Sequence, residues 1–146
     1  NVIWLGDGII GDDTHGHIDD LCRFVDEKTI ITVVETDIKS PNYAALQDNL
    51  ERLQKAVLED GSKPRIVTLP MPKTVEFDGL VIPASYANFL IINKIVLVPT
   101  FNDANDRIAL NIIANCFPDR EIIGISAIDL IWGFGTLHCL SQQIPS

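Results

Sequence analysis

An apolar, β-branched run, a stretch of helical spacing and a second apolar run follow one another twice along the chain. This repeat limits the fold more than any other feature of the sequence. In the first copy "TIITVVE" (29–35) reads as a strand. Ser40 and Pro41 supply an N-cap and a first-turn proline, and Tyr43, Leu46, Leu50, Leu53 and Val57 recur at helical spacing before "RIVTLPMP". In the second, "KIVLVPTF" precedes "NDANDRIALNIIANCFP". There Asn105 is placed to cap, Ile108, Ile112, Ile113 and Cys116 share a face, and Pro118 stops the helix before "REIIGIS". Between the copies, "FDGLVIPASYANFLII" carries turn residues and then another apolar run, so each unit is expected to hold one more strand. The reading is an α/β chain that uses a ββαβ-like unit at least twice. Its nearly continuous apolar strands imply burial on both faces.

No linker, low-complexity tract or charge block divides the 146 residues, and with 47% hydrophobic and 21% charged residues they suit one globular core. The longest apolar runs fall well short of the ~20 residues a bilayer requires, and no membrane association is read. "NVIWLG" opens in strand-like sequence without an initiator methionine, so the chain is expected to be a fragment, and an upstream targeting segment is left open. Three scattered cysteines, Cys22, Cys116 and Cys139, do not make a disulfide framework, and a reducing, cytoplasmic setting is expected. A formal net charge of −9 argues against nucleic-acid binding, which needs clustered Lys and Arg, and is compatible with a cationic ligand.

Two stretches carry chemistry. "GDDTHGHIDD" (11–20) sets two of the three histidines among four aspartates, and "GFGTLHCLSQQIPS" ends the chain with His138 beside Cys139. "HGHID" satisfies the H-x-H-x-D pattern of metallo-hydrolase loops, yet a binuclear site of that type wants a histidine where Asp20 stands and more histidines downstream. The other reading is a thiol nucleophile. Gly133 and Gly135 permit tight turning and close approach beside Cys139, polar residues follow it, and a distant histidine such as His17, with Asp19 close by, is the usual proton carrier for a reactive cysteine. Cys22 and Cys116 read as core residues, His15 as a loop residue, and Asp12, Asp13 and Asp20 as solvated caps before a short helix beginning near Ile18. His138 points away from the cysteine's side if its segment is extended, and no chemical role is assigned to it.

At this point the residues resemble a known family. "DDTHGHIDDLCRFV" is similar to the (T)-x-G-H-[IV]-D-x-x-x-R-F segment of the agmatine deiminases and bacterial-type peptidylarginine deiminases, and "GFGTLHCLSQQIP" resembles their G-x-G-x-x-H-C-x-[ST]-Q-Q-x-P segment. "ASYANFLIINKIVLVPTFNDANDRIALNIIANCFPDREIIGI" follows the family's intervening pattern in order, so the resemblance covers nearly the whole chain. It implies the pentein fold, an α/β propeller of five ββαβ modules around a central active site. This chain would be roughly the C-terminal two to three modules of a single catalytic domain.

Carried over residue by residue, the resemblance implies that Cys139 is the nucleophile, His17 the acid and base, and Asp19 a carboxylate that binds the guanidinium. Two further carboxylates belong to R-D-x-G-P-like and E-G-G-like segments that do not occur here, so an upstream part of the protein is expected to complete the site. Phe134 departs from the glycine pattern and is expected to alter pocket shape only. The implied reaction hydrolyses a guanidine to a ureido product and ammonia through a covalent cysteine intermediate, with no metal and no organic cofactor. Agmatine, giving N-carbamoylputrescine and so serving putrescine formation, is the leading substrate. Free arginine and peptidylarginine are the alternatives within the same chemistry, and a metal-dependent hydrolase or a non-catalytic pentein-type or ribosome-associated binding module are those outside it. Homo-oligomer formation is compatible with this reading.

Overall fold

The computed structural model describes residues 1–13 and 16–144. Its elements follow the repeat. In the first unit β1 (Cys22–Phe24) runs antiparallel to β2 (Thr29–Val34), the chain crosses over through helix α2 (Tyr43–Lys55), and β3 (Arg65–Pro70) returns parallel to β2. After the hairpin of β4 (Val75–Phe77) and β5 (Leu80–Ile82), the second unit repeats this order. There β6 (Leu90–Ile91) is antiparallel to β7 (Ile95–Thr100), helix α3 (Asp106–Cys116) crosses over, and β8 (Glu121–Ser126) pairs parallel with β7. Each central strand thus has one antiparallel and one parallel neighbour, the ββαβ arrangement read from the sequence. The additional strands are the short β1 and β6.

Burial separates the strands. All of Thr29 to Val33 in β2 is buried, whereas β3 and β8 keep most residues partly exposed, so burial on both faces is confined to the centre of the first sheet. Leu46 on α2 and Ala109 and Ile113 on α3 pack into one cluster with Ile31, Val33, Val96, Val98 and Phe89. Across 77–80 the hairpin turns through Asp78 at φ 49° and Gly79 at φ 80°, the left-handed pair that matches the twist of adjoining strands.

Several local expectations give way to long-range contacts. Helix α2 begins after Asn42, not at Pro41, and Asn42 forms no side-chain cap because its Oδ1 accepts a hydrogen bond from Ile10 N–H at 2.8 Å. Ser40 closes the preceding turn, its carbonyl accepting from Tyr43 N–H at 3.0 Å. Val57 lies past the helix end and Ile108 is exposed, so the buried stripe of α3 runs through Ala109 and Ile113. "NVIWLG" forms no strand. It is tied instead to α2 through Asn49, whose Oδ1 accepts from Gly6 N–H at 2.7 Å and whose Nδ2 donates to the Asp7 carbonyl at 2.8 Å. Among the described residues no helix is long and apolar enough to cross a membrane.

Candidate active site

The short helix α1 (Ile18–Leu21) presents Asp19 and Asp20, the buried segment 85–89 lies beside it, and a turn over 136–141 carries His138 and Cys139. Segment 85–89 is fixed from several directions. Ser85 Oγ donates to the Asp20 carbonyl at 2.7 Å, Tyr86 Oη to Asp106 Oδ1 at 2.7 Å, and Arg23 Nη1 to the Phe89 carbonyl at 2.9 Å. These bonds join α1, β1 and the start of α3 to one stretch of backbone, which then holds the cysteine turn through His138 N–H donating to the Asn88 carbonyl at 3.2 Å.

Cys139 and Asp19 meet although 120 residues apart: the Cys139 thiol lies 3.2 Å from Asp19 Oδ2. His17 ends the loop just before α1. Its backbone N–H donates to Asp12 Oδ2 at 2.6 Å and its ring Nδ1 stands 3.3 Å from Asp12 Oδ1, while the Asp12 side chain is only 2% exposed. Asp20 links the two groups. Ligating atoms of Asp12, His17 and Asp20 all lie within 4.8 Å of one another, as do those of Asp19, Asp20 and Cys139. Either trio has the donor types to take a cation, and among the described residues Asp19 and His17 fall in different trios. His15 lies outside the described residues.

Three expectations for single side chains are corrected. Asp12 and Asp20 are not solvated caps: Asp20 is 1% exposed, and one of its oxygens, Oδ2, is buried without a hydrogen-bond partner. His138 does not point away. Its Nδ1 is 2.7 Å from Asp19 Oδ2, because residues 136–141 turn instead of extending, with Leu140 N–H bonded to the Thr136 carbonyl and Ser141 N–H to the His138 carbonyl. Of the two glycines, only Gly135 makes a close approach. A Cβ there would sit 2.5 Å from Cys139 Cβ and 2.8 Å from Sγ, whereas Gly133 has open space, and the left-handed position falls on Phe134 at φ 62°. Asn88, which composition and spacing did not single out, is hydrogen-bonded to Asp19, Asp20 and the cysteine turn. The one hint of it in the sequence was its place in "ASYANF", the start of the stretch that follows the family's intervening pattern.

The electrostatics follow from burial and pairing. Burial works to raise the Asp19 carboxyl, but hydrogen bonds from His138 and Cys139 outweigh it and hold the group below its usual range. Asp20 goes the other way. Burial first, then the charge of Asp19, push it up to about 7 against the hydrogen bond from Asn88. Partial burial of the Cys139 sulfur, with the two carboxylates beside it, pushes its thiol up to about 11, even though the residue as a whole is exposed. At neutral pH Cys139 is therefore a thiol that a neighbouring positive charge would ionise. A cleft of about 530 Å³ lies elsewhere, lined by residues such as Glu35, Asp37, Lys39, Met71 and Lys73, and it contains none of His17, Asp19 or Cys139.

The family profile for Porphyromonas-type peptidyl-arginine deiminase matches residues 1–145. A Lactococcus lactis protein, provisionally named an agmatine deiminase, is 38% identical over 99% of this chain and 44% of its own length. The structure of an agmatine deiminase of Enterococcus faecalis superposes with a TM-score of 0.93 at 37% identity, covering 99% of this chain and 44% of that one. A C. jejuni agmatine deiminase with a cysteine-to-serine substitution and substrate bound superposes with a TM-score of 0.85 at 37% identity, covering 93% of this chain and 39% of that one. The chain thus spans less than half the length of these relatives.

Proposed function

Because the chain belongs to the Porphyromonas-type peptidyl-arginine deiminase family, we propose that it is the C-terminal part of a deiminase that hydrolyses a small guanidine, agmatine first, to the ureido product and ammonia. The observation that carries this reading is the contact of Cys139 Sγ with Asp19 Oδ2 at 3.2 Å, a nucleophile touching the carboxylate that suits a guanidinium. The bound substrate in the cysteine-to-serine C. jejuni relative supports the same assignment, since replacing a nucleophilic cysteine is how a reacting complex would be held.

A guanidinium is planar and resonance-stabilised, so it reacts only when held and attacked by a strong nucleophile. Its arrival beside Cys139 offsets the burial of the sulfur and the negative charge of Asp19, which together keep the thiol protonated, and the thiol proton passes to solvent, to which the residue is exposed. Asp19 Oδ2 already faces Asn88, His138 and Cys139, so loss of the thiol proton also frees one acceptor position for a guanidinium N–H. The thiolate adds to the central carbon, forming the C–S bond as the C=N electron pair moves to nitrogen. His17, oriented by Asp12, protonates the departing nitrogen, ammonia leaves, and a thiouronium remains on sulfur. Water, deprotonated by His17, adds to the same carbon; the new hydroxyl loses its proton to solvent as the C–S bond breaks, giving the ureido product and the restored thiolate. No step requires a metal or an organic cofactor.

In this reading the ββαβ units are part of a five-module ring, and upstream modules add further carboxylates and cover the open site. Ammonia release measured with agmatine, arginine and a peptidylarginine, in the protein with its upstream modules present, tests the reaction and ranks the substrates. Cys139→Ser should lower turnover by several orders of magnitude and still bind the cation. Near-normal turnover in that variant would remove Cys139 from the mechanism.

A further inference from the structure

We infer that Asn88 is a further catalytic group of this site: its carboxamide N–H donates to Cys139 Sγ and holds the attacking thiolate, while its oxygen folds the turn that carries the cysteine. The inference rests on the proposed deiminase chemistry for the identity of the attacking group, but the contacts stand on their own.

The orientation of the amide is fixed by its partners. Asn88 Oδ1 accepts from Thr136 N–H at 3.3 Å, Thr136 Oγ at 2.8 Å, His138 N–H at 3.1 Å and Cys139 N–H at 3.3 Å. Turned over, the NH2 group would face three backbone N–H donors and the oxygen would face two carboxylates, so only one assignment satisfies the network. Four donors on one oxygen also explain why residues 136–139 curl round it.

The other end of the amide has a surplus of acceptors. Nδ2 lies 3.1 Å from Asp19 Oδ2, 2.9 Å from Asp20 Oδ1 and 3.0 Å from Cys139 Sγ. Two hydrogens serve three acceptors, so their allocation depends on which acceptor is charged. With Cys139 as a thiol, the carboxylates hold both hydrogens. With Cys139 ionised, sulfur becomes a charged acceptor and draws one of them. The side chain is 1% exposed, so this donor needs no reorganisation from water when the charge forms, the property that makes a preorganised dipole effective against developing charge. Asp19 and Asp20 oppose the thiolate, whereas Arg23 on β1 attracts it and His138 is placed to orient Asp19. Asn88 is the neutral donor to sulfur among the described residues.

The test separates holding the turn from stabilising the sulfur. Asn88→Asp keeps an acceptor for the turn and replaces the donor with a second oxygen, whereas Asn88→Ala removes both. In the protein with its upstream modules, the rate of Cys139 alkylation by iodoacetamide is followed against pH, with melting temperature as a control for folding. The expected result is at least tenfold slower alkylation near neutral pH in Asn88→Asp, a thiol titrating at least one pH unit higher, and kcat lower by two orders of magnitude without a matching rise in KM. A purely structural role predicts the opposite ranking, with Asn88→Asp close to wild type and Asn88→Ala impaired, and that ranking would overturn the inference. In the unmodified protein, the Asn88 side-chain amide resonances should shift as Cys139 titrates and again on alkylation, and unmoved resonances would equally overturn it. Alkylation needs no turnover, so a wild-type protein that releases no ammonia would refute the deiminase reading and leave this comparison intact.

Discussion

Asp20 stores an electrostatic cost that a pH titration of stability should expose. Its carboxyl is held up to about 7 in the fold against 3.8 in a free chain, with burial the largest cause. The folded state therefore binds the proton more tightly than the unfolded state. Below the free-chain value both states are protonated and there is no penalty. As pH rises toward 7 the unfolded state gains from ionising while the folded state does not, so stability falls across that window and then levels off. Asp20→Asn removes the titration and keeps an oxygen for the Asn88 amide. The expected outcome in denaturant melts is a gain on the order of a few kcal/mol at about pH 8 and little change at about pH 4. Equal effects at both pH values would show that the fold does not raise the Asp20 carboxyl. Among the cysteines, a haloacetamidine probe, which carries the positive charge that ionises the site, should label Cys139 ahead of Cys22 and Cys116, as read out by peptide mass spectrometry. Cys22 is buried with its thiol pushed up to about 11, and Cys116 is half-buried on the far end of α3.

At the scale of elements, the two ββαβ units do their work through their connections. The 3₁₀ turn over Leu130–Gly133 leads from β8 through Phe134 and Gly135 into the cysteine turn, and Gly135 is the glycine whose backbone lies against the Cys139 side chain. Gly135→Ala would place a methyl group against both Cys139 Cβ and Sγ, so the turn must shift by a large part of an ångström. A displacement of that size at a reacting atom costs on the order of a hundredfold in rate. Turnover should fall accordingly while the melting temperature changes little, because few apolar contacts depend on this turn. Gly133→Ala, which meets open space, serves as the comparison, and equal losses in the two variants would show that the close approach is irrelevant. The helices were legible in the sequence because their apolar spacing is periodic. The start of α2 was not, since Asn42 gives its side chain to Ile10, whereas Asn105 stands at the N-cap of α3 as read, with its side chain bonded to the Met71 carbonyl instead of to its own helix.

For the molecule as a whole, the chain carries a site but leaves apolar surface uncovered. Val2, Trp4, Ile18, Phe24 and Ile38 are each more than half exposed, at 74, 77, 55, 52 and 74%. In the proposed ring of modules such surface would lie at the interfaces with neighbouring modules. Expressed alone, residues 1–146 should aggregate and release no ammonia from guanidines, and activity should return when the upstream part is supplied in the same chain or as a tightly bound partner. A monomeric, active 146-residue protein would mean that an acid within this chain, such as Asp13 or Asp129, supplies what the upstream carboxylates are proposed to give.

The sequence by itself determined the order of most elements and, through two specific motifs, the residues proposed to react. Period and motif are local properties, and "TIITVV" or "THGHID" can be read without knowing what lies across the fold. The cysteine turn, the burial of Asp20 and the bond between His138 and Asp19 depend instead on Asn88, which is 51 residues from Cys139 and 68 from Asp20. No spacing rule reaches that far. A buried polar group is settled by the partners the tertiary structure brings within hydrogen-bond distance, because an unmade bond there costs more than any local preference can return.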